Sequence, residues 1–259
     1  MERASAGMAS ARPLLHEPYV PYSQIEPYFP LPARFGPWLT WGATLLGVGS
    51  VTGGALGVYT TQPPPQRLRL GITQLPAYGP ARTALGVGLC ALAFLYFVTS
   101  WCVFHSLELR LQGIASRNSL ANRLAYRLGA LAALGLFASG SAVHALGDAP
   151  STHLAMLSTT GAITMLQFCI VTSLVHRNQP RLMRSVRDFL WLRVKMALLL
   201  IVDALVLARL VLPLVWAGTP LLLTGALENC AFFGCCIFIG TFSSELRHFS
   251  LQLQPVIVL

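Results

Sequence analysis

From residue 36 onward the chain alternates long apolar runs with short polar, basic or turn-forming intervals. Six runs stand out, at about 36–59, 85–107, 124–146, 154–176, 194–215 and 221–243. Each reaches the roughly 20 residues that a helix needs to cross a hydrocarbon core about 30 Å thick. The pattern predicts an all-α fold, a polytopic membrane protein whose six transmembrane helices form a bundle with short loops over residues 36–249. A Pro/Tyr-rich tail, 1–35, precedes the bundle and a short C-terminal tail, 250–259, follows it. The spans fill more than half of the chain, and no interval between them is long enough to bury a soluble core of its own.

Composition agrees with this reading. The chain has 259 residues, 54% hydrophobic and 10% charged, with a mean hydropathy of +0.62, whereas soluble domains carry about 25% charged residues. The head holds Pro13, Pro18, Pro21, Pro27, Pro30 and Pro32 and no apolar run. It therefore does not read as a secretory leader, and the first span is expected to act as its own targeting signal.

A net charge of +9 would suggest nucleic acid in a soluble protein. Here the cations gather at span ends instead, which excludes that partner. Arg110, Arg117, Arg123 and Arg127 surround the second connection, and Arg177, Arg181, Arg184, Arg187, Arg193 and Lys195 surround the fourth, while the third and fifth hold no Arg or Lys. The positive-inside bias places the second and fourth connections, and with them both termini, in the cytosol. Arg67, Arg69 and Arg82 run against this bias. The cytosolic basic loop, Arg177, Arg181, Arg184 and Arg187, suits anionic lipid headgroups at about 1 kcal/mol per side chain near the surface, although membrane topology alone is the favoured account of it. The cysteines all fall inside predicted spans and outline neither a disulfide framework nor a zinc site.

Within the spans, Gly49, Gly53 and Gly57 recur at every fourth position and predict a flat face for close helix packing. Ionisable residues inside spans are costly unless they face protein, water or a partner, so each is a candidate site. Asp203, Arg209 and Glu228 qualify. Arg209 precedes, and Glu228 follows, the turn at 217–220 by similar numbers of residues, which puts both roughly 10–12 Å from the same membrane face. An ion pair between them is the structural expectation. The functional one is a lumenal polar cluster in which His144 and His153 join Glu228 and Arg209. Asp203 lies deeper and needs a polar neighbour, with Thr164 and Gln167 at suitable depth. No catalytic motif is present, so no catalytic residue, cofactor or metal is assigned.

The order of short motifs adds a resemblance. "LPAYGPARTALGVGL" (75–89) opens the second span, "SAVHALGDAPSTHLAMLSTTGAI" (141–163) bridges the third and fourth, and an acid-led last span ends in "IGTFSSELRHFSLQL" (239–253). This resembles the damage-regulated autophagy modulator family of six-span proteins, which includes the modulators of macroautophagy and, more distantly, lipid-remodelling factors acting on GPI anchors. On that resemblance, the family's lumenal Pro-Tyr-Ile-Ser element falls at Pro76 to Gly79, its histidine before the fourth span at His153, and its Glu-Trp opening of the last span at Glu228, with Asn229 in place of tryptophan. Phe242, Glu245 and Phe249 match its closing pattern.

The resemblance implies a non-enzymatic protein of lysosome, endosome or plasma membrane that influences autophagy or membrane lipid signalling. A GPI-anchor type lipid-remodelling enzyme or cofactor with a lumenal pocket is the alternative, and a small-molecule or ion transporter lined by Asp203 is a third. The expected partners are membrane lipids and a cytosolic adaptor. "YSQI" in the tail, with Tyr22 and Ile25, fits the tyrosine-based signal that such an adaptor reads as an extended strand.

Overall fold

Six helices cross the bundle in a computed structural model of the protein, and each coincides with an apolar run. The structure describes residues 35–62, 71–77, 79–111, 116–145, 150–183, 185–216 and 220–247. The spanning helices are α1 (Phe35–Thr61), α2 (Gly79–Arg110), α3 (Ser116–Ala145), α4 (Pro150–Arg177), α6 (Val186–Val215) and α7 (Leu221–Thr241). Two single-turn helices, α5 (Gln179–Leu182) and α8 (Ser243–Leu246), lie beside α4 and α7 in sequence. All six long helices are long and apolar enough to span a bilayer, and no strand occurs among the described residues. The chain is a multi-pass membrane protein. Tyr22 and Ile25 lie outside the described residues, as do the rest of 1–34 and all of 248–259.

Local chemistry sets the helix ends. Pro150 occupies the first position of α4, where a missing N–H costs nothing. Ser185 caps α6: its Oγ accepts from the Asp188 N–H at 3.3 Å, and Asp188 Oδ2 accepts from the Ser185 N–H at 3.2 Å. This reciprocal box starts α6 well ahead of the apolar run expected from 194. Exposed Trp38 and Trp41 stand near the start of α1, with Tyr59 and Trp216 at the opposite end, as amphipathic rings do at the two membrane interfaces.

The helices form a closed ring in the order α1, α2, α3, α4, α6, α7, with α7 packing back on α1. Small residues permit the tightest seam. On α1, Gly36, Thr40, Ala43, Gly47, Ser50 and Gly54 are buried on one face. A Cβ on Gly88 of α2 would lie 2.1 Å from Ser50 Cβ, and one on Gly47 would lie 2.5 Å from Cys236 Sγ of α7. Thr44 Oγ1 also donates to the Cys236 carbonyl at 2.7 Å. The expected stripe of Gly49, Gly53 and Gly57 is not this face. Nothing lies within 4 Å of where their Cβ atoms would be, because the alternating four-and-three series through Gly47 and Ser50 turns the other side of α1 inward. Gly135 does pack closely, its Cβ position lying 2.3 Å from Thr160 Oγ1 of α4.

Aromatic side chains fill the centre. Phe168 of α4 stacks on Phe238 of α7 at 4.0 Å, and Phe242 meets both edge-on. Beside them the buried Tyr96 hydroxyl donates to Gln167 Oε1, and Gln167 Nε2 donates to Ser100 Oγ at 3.2 Å. Each polar atom in this triad has a partner, which is what a low-dielectric core requires.

Candidate functional site

Two ion pairs among the described residues lie at opposite ends of the bundle. The first is built on α7, which Pro220 starts, so that Glu228 comes two turns inside the helix. Its Oε1 accepts from Arg209 Nε of α6 at 2.8 Å, and its Oε2 accepts from Thr73 Oγ1 at 2.7 Å. Next to it, Asn229 Oδ1 accepts from the Ile72 N–H at 2.9 Å. Thr73 and Ile72 belong to 71–77, the segment that leads from α1 into α2.

That segment is a folded plug. The Gly71 carbonyl accepts from the Gln74 and Leu75 N–H groups at 2.8 and 3.0 Å, a 3-10 turn follows at Leu75–Ala77, and Arg82 Nε donates to the Pro76 carbonyl at 2.7 Å. Ile72 and Leu75 are buried. Gly71 has to be small: a Cβ there would sit 2.8 Å from Glu228 Oε2 and 2.9 Å from Gly225 Cα. The last helix carries an acid because that carboxylate joins three elements, α6, α7 and the plug, and both its oxygens are engaged. Its side chain is 8% exposed against 28% for Arg209, so one arm of the pair opens to its surroundings.

The other expected members of the cluster behave differently. His153 is 3% exposed, and neither ring nitrogen has a hydrogen-bond partner among the described residues. His144 lies near the end of α3, and its side chain is outside the described residues. Asp203 does not join the pair. It is exposed on α6 with no hydrogen-bond partner among the described residues, and its two expected neighbours are occupied elsewhere, Gln167 by Tyr96 and Ser100, and Thr164 by the Thr160 carbonyl at 2.9 Å. No group of His, Cys, Asp or Glu among the described residues could hold a metal ion.

The second cluster lies at the end that carries the arginine-rich connections. Lys195 Nζ donates to Glu245 Oε1 and, at 3.3 Å, to Ser244 Oγ; the side chains of Lys195 and Glu245 are 1% and 7% exposed. Ser106 Oγ donates to the Glu245 carbonyl at 3.0 Å, and the ammonium sits 5.3 Å from the Phe242 ring centre. The short α8 is thereby tied to α2 and α6. A small cleft beside it is lined by Leu107, Arg110, Asp188, Leu192, Ser244 and Glu245.

Sequence reasoning missed this pair, because a span begun at 194 leaves Lys195 at the membrane surface. The signal was present in Ser185 and Asp188, whose capping spacing starts the helix earlier and carries Lys195 inward. Around the same end Arg117, Arg123, Arg127, Arg177, Arg187 and Arg193 are exposed, while the side chains of Arg181 and Arg184 are outside the described residues. No protein-family model, curated protein or solved structure matches this chain.

Proposed function

We propose that this chain is a non-catalytic multi-pass membrane protein of lysosome, endosome or plasma membrane that modulates autophagy or membrane lipid signalling, with its arginine-rich face towards the cytosol. The observation that carries the reading is the contrast between the two ends. At one end Arg117, Arg123, Arg127, Arg177, Arg187 and Arg193 are exposed together, a surface that attracts anionic headgroups. At the other, both oxygens of Glu228 are engaged by Arg209 and Thr73, so the carboxylate holds helices together and is not poised for proton transfer. The order of motifs that resembles the autophagy-modulator family supports the same reading.

Cells lacking the chain should show altered autophagic flux or an altered plasma-membrane phosphoinositide level. Wild type should restore both, and a variant with Arg177→Gln, Arg187→Gln and Arg193→Gln should not. Normal flux together with normal phosphoinositides in the deleted cells removes the reading.

His153 favours a second reading, a lipid-remodelling pocket, since a buried imidazole with both nitrogens unbonded is available for chemistry. His153→Phe that expresses normally and leaves GPI-anchor lipids unchanged would exclude it.

A further inference from the structure

The bundle uses Arg209 only in part. Its Nε donates to Glu228 Oε1 at 2.8 Å, and neither Nη1 nor Nη2 has a hydrogen-bond partner among the described residues. A guanidinium carries five N–H donors, so those on the two Nη atoms stay unfilled. Packing fixes where they sit. Val202 seats Cγ2 over Gly234 of α7, where a Cβ would come within 2.4 Å, which turns Asp203 outward and sets Arg209, about two helical turns on, against α7. There the carboxylate takes the inner place, 8% exposed, and the guanidinium the outer one, 28% exposed. Exposed Val206 and Pro213 stand on the adjoining turns of α6.

The same level of α6 carries a second unfilled group. Pro213 lies inside the helix and has no N–H, so the Arg209 carbonyl lacks its helical donor. Trp216 caps the end of α6, which puts Arg209 roughly 10 Å inside that end by the 1.5 Å rise. α6 is the least buried of the six spans, and lipid surrounds its outer face at this depth. An arginine left bare in such surroundings is costly, and it draws headgroup oxygens inward by snorkelling and local thinning of the bilayer. Among the acceptors a lipid offers, the phosphate oxygens match best. They are anionic, and two of them can take the two Nη groups side by side. Arg209 then bridges two anions, Glu228 through Nε and the phosphate through Nη1 and Nη2.

We infer that the outer edge of Arg209 is a binding site for the phosphate of a phospholipid, in the leaflet on the side of the plug. The inference goes beyond the proposed function, which concerns the arginine-rich end, and does not depend on it.

The test uses the full chain in detergent, in a parent carrying Arg177→Gln, Arg187→Gln and Arg193→Gln so that the arginine-rich end contributes little. Native mass spectrometry reads how much phosphatidylcholine the chain retains. The parent should hold the lipid. Arg209→Lys, which keeps a cation against Glu228 but removes the fork, should bind it roughly five- to tenfold more weakly. Val206→Trp places bulk on the exposed turn beside the guanidinium and should weaken binding similarly while leaving the ion pair in place; Leu200→Trp, also exposed but on a distant turn, should not. A galactosyl diacylglycerol with the same acyl chains has no phosphate and should be retained by the parent no better than by Arg209→Lys. Inorganic phosphate should not displace the phospholipid. Should Arg209→Lys fail to fold, Val206→Trp against Leu200→Trp decides alone. The inference is overturned by a parent that retains no phospholipid, by equal retention in the parent and Val206→Trp or Arg209→Lys, by equal uptake of the galactolipid, or by displacement with inorganic phosphate, which would mark an aqueous anion site instead.

Discussion

Two acid–base pairs inside one membrane bundle differ in burial, and their expected energetics differ with it. Lys195 and Glu245 are enclosed together, so Lys195→Ala leaves a carboxylate with Ser244 as its remaining side-chain partner. The variant should lose about 3–5 kcal/mol, while Lys195→Met with Glu245→Met should recover most of that loss, because an apolar pair of similar volume removes both desolvation costs. Thermal unfolding in detergent, followed by tryptophan fluorescence, measures both. Glu228→Ala should cost about 2 kcal/mol, less than Lys195→Ala because Arg209 keeps some access to its surroundings. In a double-mutant cycle, Glu228→Ala and Thr73→Val should couple by more than about 0.5 kcal/mol; additive losses would mean that the plug is not held by this carboxylate. The Arg209–Glu228 contact was legible as equal depth on a hairpin. The third partner was not, because Thr73 lies far away in sequence and nothing in its neighbours marks it. Asn229 read as a departure from a family pattern, yet it supplies the acceptor for Ile72.

At the scale of helices, hydrophobic run length located all six spans, whereas small-residue spacing misjudged which face of α1 packs. Both faces of α1 carry glycine at short intervals, and a single sequence holds no record of what lies opposite. The contact partners decide it: Ser50 against Gly88 and Gly47 against Cys236. Gly88→Ala should therefore cost about 1–3 kcal/mol through forced separation of α1 and α2. Gly53→Ala should leave stability within about 0.5 kcal/mol of wild type or raise it slightly, as alanine is the better helix former. The same unfolding assay compares them, and equal losses would contradict the assignment of faces. Helix starts were legible wherever capping chemistry outranked hydropathy, as at Ser185. Asp203 shows the opposite limit: its depth was readable, but its rotation depends on a notch at Gly234 that only packing reveals.

Across the whole molecule, the sequence leads one to expect both chain ends on the side of the arginine-rich connections, an even number of crossings returning the chain to the side it left. The plug at 71–77 meets the first half of α7 at the opposite end of the bundle, where Glu228 joins it to α6. One measurement tests this arrangement directly. Membrane-impermeant labelling, applied from each side in turn, is read at tags on both termini and at Gly218→Cys in the turn between α6 and α7. The account predicts that the two tags react from the cytosolic side and Gly218→Cys only from the other. Tags that react from opposite sides, or a Gly218→Cys that reacts together with them, would contradict it.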